Sequence, residues 1–394
     1  MMQRWRNPRT TTTAAAALVL ASVLFTSRPS AAQNAPAGAG GGEVHVEIAL
    51  PPAPFLQSGA PIFPPPGGEA STTDTTLEPS AAERLTADGR LLLVADDKTN
   101  SLLVVDAATG RQIGERLTSR AFPAENAKWE ALARDGDDNT FYLIGSHTGR
   151  TREELAAHSY LLAFRVLGGG ADNKPFAIDE ASVARYDIGT ALTREKLYNL
   201  ADPTKNRVKI EGLTVRTVRG NGSPSAPYLR RELVVGLREP DDPVTVYAAD
   251  ITNRAASTSG NAVSLPLRKL FTFAAGTRAG GVHSQLSSLD YAPTLGGFLL
   301  VTSSEDADNK YHGNTLWFLS DTGIKVGATA AAQRVWVFGV GQKAEGMCVL
   351  DAGLVAPAEG DYRAARIAVI YDNDAARTGK PARYQIVTLV RWPR

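Results

Sequence analysis

A short unit returns along this chain, and a returning unit constrains the fold before any local reading does. Lys128-Trp129-Glu130-Ala131-Leu132, Lys209-Ile210-Glu211-Gly212-Leu213 and Lys343-Ala344-Glu345-Gly346-Met347 share one pattern. Each opens a short apolar run, and each is followed by a second run that ends in polar residues. Leu91 to Asp97, Phe141 to His147, Leu233 to Arg238, Phe298 to Glu305 and Ile367 to Asp372 are those second runs. Third runs follow at Ser101 to Asp106, Tyr160 to Val166, Val244 to Tyr247, Thr315 to Leu319 and Tyr384 to Val390. In the first unit Leu77-Glu78-Pro79-Ser80 stands in the opening position, and in the fourth Gln285 stands where the Glu belongs. Val183 to Ile188, Lys269 to Phe273 and Val335 to Val340 fit a fourth-strand slot. Ala191 to Leu200 reads as one short helix between units.

Units of three or four short strands predict an all-β fold, a β-propeller with five or six blades, in which sheets repeat radially. A β-sandwich leaves the returning motif unexplained. Ahead of the repeats lies the alternating stretch Glu43-Val44-His45-Val46-Glu47-Ile48-Ala49-Leu50, which has the period of a half-buried strand. Placed as the outer strand of the last sheet, it would fasten the ring end to end. The rest of residues 33–76, including Pro64-Pro65-Pro66-Gly67-Gly68, has linker composition.

Residues 1–32 read as a signal peptide: Arg4, Arg6 and Arg9, then an apolar core from Ala14 to Phe25, then Ser30-Ala31-Ala32. The apolar core is shorter than the ~20 residues a membrane span needs. Without those residues and their four Arg, 38 basic residues face 41 acidic ones. That balance gives no electrostatic case for nucleic acid, which calls for a basic face. The expected organisation is therefore 1–32 signal peptide, 33–76 linker and 77–394 propeller, in a periplasmic or secreted protein with no membrane span.

Antiparallel pairing brings the end of each second strand back beside the start of the first. Glu78, Glu130, Glu211 and Glu345 should therefore ring one mouth of the channel, together with Asp96-Asp97, Ser146-His147, Arg238-Glu239, Ser303-Ser304-Glu305 and Asp372-Asn373-Asp374. Converging carboxylates need partners, because like charges raise one another's pKa. Lys128, Lys209 and Lys343, two residues before their Glu on the same strand face, are one set of partners. A bound cation is the other, and hard oxygen ligands suit Ca²⁺. Two readings follow: ion pairs that lock the blades together, and a mouth that binds a small molecule or protein partner through Glu130, Glu211, Glu345, Arg238 and His147.

The ordered motifs Asp96-Asp97, Glu130-Ala131-Leu132, Gly145-Ser146-His147, Glu211-Gly212-Leu213, Gly236-Leu237-Arg238, Glu345-Gly346-Met347 and Tyr371-Asp372 resemble the bacterial DUF3616 family. That family is a group of β-propellers of unknown function, akin in pattern to phytase-like esterase propellers. The resemblance spans residues 77–392 and implies the propeller fold but no reaction. Gly280-Gly281-Val282-His283-Ser284-Gln285 departs from the arginine-containing stretch expected at that point. The likeness to phytase-like propellers implies the alternative to simple binding, a Ca²⁺-dependent phosphoesterase. In it Asp96, Asp97, Glu211, Glu345, Asp372 and Asp374 would hold the metal, and Arg238 would clamp phosphate.

Other chemistry is weaker. Gly145-Ser146-His147-Thr148-Gly149 lacks the G-x-S-x-G spacing of a hydrolase elbow. His147 is the general-base candidate, since an unperturbed imidazole titrates near neutrality; the plainer reading is a satisfied polar residue at a strand end. Arg238 is either an ion-pair partner or a fork for a ligand phosphate or carboxylate. Five His and one Cys offer no zinc spacing, and Cys348 reads as a buried hydrophobe. Asp135-Gly136-Asp137-Asp138-Asn139 reads as a hairpin turn.

Overall fold

The apolar second runs are continuous rather than alternating because both faces of each sheet are covered. Leu92 and Val94 pack against the last sheet beside Cys348, Ala368 and Ile370. Leu93 and Ala95, on the opposite face, pack against the next sheet beside Trp129, Leu132 and Phe141. A strand buried on both faces reads as an apolar run, whatever its pairing. The same holds around the ring, so the core consists of apolar layers between neighbouring sheets.

The computed structural model describes residues 42–49, 53–54, 77–123, 126–136, 138–169, 174–199, 202–203, 206, 208–219, 229–238, 243–252, 262–277, 281–306, 311–339, 342–350, 363–372 and 382–391. All fall within one compact unit, Gly38–Arg394. The expected signal peptide and most of the expected linker lie outside the described residues.

Five small antiparallel sheets form a five-bladed β-propeller. The first blade is Pro79–Arg84, Leu91–Asp96 and Leu102–Asp106, extended by bridges from Val105 to Gln112 and from Leu102 to Leu117. The second is Trp129–Asp135, Thr140–Gly145, Leu161–Phe164 and Ala184–Asp187. The third is Lys209–Arg219, Leu229–Arg238, Val244–Asp250 and Arg268–Phe273. The fourth is Gln285–Ala292, Gly297–Glu305, Tyr311–Ser320 and Gln333–Val337.

The fifth blade takes Ala344–Val349, Arg363–Tyr371 and Arg383–Arg391 from the chain's end, and Val44–Ala49 from its beginning. Val44–Ala49 pairs antiparallel with Arg383–Arg391, so the ring is fastened by hydrogen bonds between distant parts of the chain. Val44 is buried in the layer between the fourth and fifth blades. Short parallel additions latch neighbours as well. Val263–Ser264 joins the edge of the second blade, and Thr329–Ala330 joins the third.

The expected helix over 191–200 is present as Gly189–Arg194. A second helix, Arg152–His158, carries a start signal legible in the sequence: Thr151 caps it by accepting from the Glu154 backbone N–H. Asp135 pairs with Thr140 as the last pair between the first two strands of the second blade, where the composition implied a hairpin turn; Asp137 lies outside the described residues. Cys348 is buried.

Around the axis each first strand packs against the next, and the last against the first. Close approach dictates the small residue after each motif Glu. A Cβ added at Gly212 would stand 2.6 Å from the Leu289 Cβ and 3.1 Å from the Leu286 Cδ2. One added at Gly346 would stand 3.1 Å from the Ala81 Cα. Buried polar bonds stitch the same strands together. Asp290 accepts from the Thr214 hydroxyl at 2.7 Å on one side and from the Val349 N–H at 2.6 Å on the other. These contacts make Gly212→Ala an overpacking change, expected to cost ~1–3 kcal/mol. Equilibrium urea unfolding should show a lowered midpoint at unchanged slope; a midpoint equal to that of the parent would contradict this packing.

Candidate functional site

Every first strand slips register at the same level. Ser80, Glu130, Glu211, Ser287 and Glu345 each sit opposite no residue of the second strand, between flanking pairs that shift by one. A bulge of this kind bends the strand and re-aims a side chain. Register also corrects two sequence assignments. Ser80 and Ser287, not Glu78 and Gln285, are the counterparts of the motif Glu. Glu78 and Gln285 stand two residues earlier, in the column of Lys128, Lys209 and Lys343. Pairing with the second strand decides the column, and the spacing of charged residues alone misplaced it.

Beside the bulges the charged side chains form a belt of ion pairs at one end of the ring's axis. Lys209 of the third blade reaches back to Glu130 of the second at 3.1 Å and also pairs with Glu211. Arg238 pairs with Glu211 at 3.2 Å and reaches forward to Glu305 of the fourth blade at 3.0 Å. Lys343 of the fifth blade links Glu305 at 3.3 Å, Glu345 at 3.1 Å and Asp372 at 3.9 Å. Each of these cations joins two blades or two strands. The structure therefore brings together Glu130, Glu211, Arg238, Glu345 and Asp372, which sequence reasoning placed at one mouth.

The first blade is organised differently. Lys98 pairs with Glu78 at 2.8 Å and with Asp97 at 3.4 Å, all within that blade. Lys128, whose backbone is left-handed at φ 48°, lies 3.8 Å from Glu130 within the second blade. Among the described residues no ion pair crosses the mouth between these two blades. Two buried carboxylate oxygens there are held by ammonium groups alone: Asp97 Oδ1 by Lys98 at 3.4 Å, and Glu130 Oε1 by Lys209 at 3.1 Å, with no hydrogen bond from a described residue to either. Lys98, which the sequence reading did not single out, sits in the turn after Asp96-Asp97, where nothing in its surroundings marks it as a partner of Glu78.

Burial sets the electrostatics. Glu130 is only 5% exposed, and loss of solvation pushes its pKa up to about 8. Lys209 and Lys128 pull it down, while Glu211 and Asp97 push it further up. Burial likewise raises Asp97, with Glu78 adding to the rise. Glu345 moves the other way, because Lys343, Arg238 and Lys209 together outweigh its burial. Lys209 and Arg238 are held above their ordinary values, burial being outweighed by the carboxylates around them. Below the belt the axial space is narrow and lined by Ala82, Glu130, Leu132, Leu213, Leu289 and Met347.

His147 is 1% exposed, with its backbone at φ 55° and its Nδ1 3.0 Å from the Gly145 carbonyl oxygen. Burial pushes its pKa down to about 4, so the ring is neutral and shut away from solvent. The general-base and ligand-contact roles expected of it do not fit that placement. Asp96 is also withdrawn from the mouth's chemistry. Its carboxylate accepts from the Glu78 and Lys98 N–H groups, from Thr99 Oγ1 and from Arg116 at 2.5 Å. Arg238 spends Nε on Gln285 at 2.9 Å and its two terminal nitrogens on Glu211 and Glu305. Three of its five N–H donors are thus engaged within the belt. Asp374 lies outside the described residues. Among the described residues no three His, Cys, Asp or Glu side chains converge as a cation cage, and no helix is long and apolar enough to cross a membrane.

No family model and no curated protein matches the chain. Among solved structures it is similar to hydrazine synthase of Kuenenia stuttgartiensis, at 13% identity over 76% of this chain and 66% of that one, TM-score 0.32. It is similar to the PQQ-bound aldose sugar dehydrogenase of Streptomyces coelicolor, at 15% identity over 88% and 98%, TM-score 0.40. It is similar as well to the Cps50 (Swd1) β-propeller domain of Myceliophteria thermophila, at 15% identity over 80% and 84%, TM-score 0.30. Likeness of this degree lends no chemistry; the propeller assignment stands on the ring of sheets.

The raised pKa of Glu130 has a defined consequence for stability. Between pH 4.5 and about 8 the folded chain binds a proton at Glu130 that the unfolded chain lacks. Stability from this group therefore falls as pH rises through that window, and the loss is complete above it. The parent protein should lose stability relative to Glu130→Gln as pH rises from 4.5 to about 8. Denaturant titrations at several pH values check this; parallel curves for the two proteins would show that Glu130 titrates normally.

Proposed function

We propose that this is an exported propeller whose charged mouth binds a ligand or partner through hydrogen-bond donors, either hydroxyl or ammonium groups. The observation that carries it is a pair of buried acceptors, Asp97 Oδ1 in the first blade and Glu130 Oε1 in the second, which lie within ion-pair distance of Lys98 and Lys209 but accept no hydrogen bond from a described residue. Buried polar atoms nearly always have partners. Leaving one without a partner costs ~1–3 kcal/mol, more for a charged group. Elsewhere in the belt the demand is met by Lys209, Arg238 and Lys343 bridging between blades. Among the described residues no such cation bridges the first blade to either neighbour, since Lys98 pairs within its own blade.

The composition of the belt supports a donor rather than an anion. Glu78, Asp97, Glu130, Glu211, Glu305, Glu345 and Asp372 face Lys98, Lys128, Lys209, Arg238 and Lys343, so acids outnumber bases among the described residues. Export rests on the signal-peptide pattern of residues 1–32. Ca²⁺ is a further occupant for the same oxygens, since carboxylates are its ordinary ligands.

Calorimetric titration of the full mature chain with simple amines, with polyols and with Ca²⁺ tests the reading. We expect one class to bind the parent protein and to lose about tenfold or more in affinity in Asp97→Asn/Glu130→Gln, the size of one charge-assisted hydrogen bond. Equal affinity in the double variant, or no binding by any of the three, would overturn the assignment. Binding of Ca²⁺ alone would move the reading to a metal site.

A further inference from the structure

A second reactive group stands on the rim of the same mouth, in the fourth blade. His312 Nε2 lies 2.8 Å from Asp306 Oδ2. Asp306 directly follows Gly297–Glu305, one step beyond Glu305 of the ion-pair belt, and His312 is the second residue of Tyr311–Ser320. Register explains why the imidazole stands out from the sheet. Ser304 pairs with Gly313 and Glu305 with Tyr311, so His312 is the extra residue of a bulge. Gly313 completes the irregularity at φ 123°, a conformation that favours glycine. Bulges at strand ends commonly re-aim a side chain toward a functional surface.

The other histidines lack this arrangement. His147 is buried, and His158 has its Nδ1 against the Thr148 carbonyl oxygen. His45 lies 3.5 Å from Glu43 with both side chains more than half exposed, and His283 has no carboxylate partner among the described residues. His312 alone combines a carboxylate at hydrogen-bonding distance with partial exposure, 26% for its side chain and 28% for that of Asp306. A carboxylate accepts a proton and cannot donate one when ionised, so Asp306 holds the hydrogen on Nε2. Nδ1 is then a lone-pair acceptor, and no hydrogen bond to it is made by the described residues. An imidazole oriented by a carboxylate with its second nitrogen open is the geometry of a general base.

We propose that Asp306 and His312 form a general-base pair at the mouth of the channel, able to hydrolyse small carboxylic esters with water. In the step, a water molecule gives a proton to His312 Nδ1 as its oxygen bonds to the carbonyl carbon. Asp306 steadies the resulting imidazolium. Collapse of the adduct breaks the bond to the alcohol oxygen, which takes the proton from Nδ1. Ester and water become acid and alcohol, with no oxidant or metal needed. This site is independent of the donor-binding oxygens between the first and second blades, and its test does not rely on them.

Two measurements on the full mature chain decide it. The first is long-range ¹⁵N–¹H correlation spectroscopy of the histidine rings at pH 8. His312 should show the proton on Nε2, and Asp306→Asn should convert it to a mixture of tautomers. The second is turnover of p-nitrophenyl acetate by the parent and by His312→Gln, Asp306→Asn and His283→Gln. Loss of the oriented base should lower the rate about tenfold or more in the first two variants, with His283→Gln at the parental rate. Circular dichroism and melting temperature, expected to match the parent for these part-exposed residues, separate loss of activity from loss of fold. A parental rate in His312→Gln, equal losses in all three variants, or a proton found on Nδ1 would each overturn the proposal.

Discussion

The first strands crowd around the axis so closely that the residue after each bulge has almost no room for a side chain. Ala81, Ala131, Gly212, Ser288 and Gly346 occupy that level, and at Gly212 a single added carbon would meet the Cβ of Leu289 at 2.6 Å. The rest of the mouth depends on this approach. Strands so near one another carry their neighbouring side chains within ion-pair distance, and the bulge just before the small residue turns Glu130, Glu211 and Glu345 toward that shared space. Close packing of backbone thus creates both the core around the axis and the electrostatic crowding at its end.

Crowded charges taken out of water stabilise a fold only when each finds good partners. Lys209, Arg238 and Lys343 meet that condition by touching more than one acid, and all three span neighbouring blades at 3.0 to 3.3 Å. Such bridges are specific: they favour one relative position of two sheets over others that apolar layers alone would tolerate. Among the described residues such bridges are missing on both sides of the first blade, where Lys98 turns inward to its own sheet. Glu130 responds by holding its proton more tightly, and Asp97 does the same. Cations that bridge blades therefore run from the second blade through the fifth, and the first blade keeps its charges to itself.

Much of the architecture was legible in the chain. The apolar runs at 91–95, 233–237 and 367–370 marked the second strands of repeating units, and the alternating stretch at 43–50 marked a half-buried strand. That strand closes the ring by pairing with Arg383–Arg391. The motif Glu residues were also correctly gathered at one mouth. The misreadings share a cause. Glu78 and Gln285 resembled the motif because they carry an acid or its amide near a strand start, yet hydrogen-bond register puts Ser80 and Ser287 in that place. His147 looked available because it follows a strand; the left-handed turn of its backbone and its contact with Gly145 bury it instead. His312 drew no notice because its bulge exists only in the pairing of two strands.

Taken alone, the amino-acid sequence determined that this chain builds repeated, two-sided sheets, that its early strand belongs with its last, and that acids and lysines recur at strand starts. Those properties are periodic, and periodicity survives without coordinates. Which acid meets which cation was decided only in three dimensions, because partners such as Arg238 and Glu305, or Lys209 and Glu130, are 67 and 79 positions apart and meet across different sheets. Exposure was decided there too. Solvation of a carboxylate or an imidazole depends on every strand packed around it, and no spacing along the chain records that.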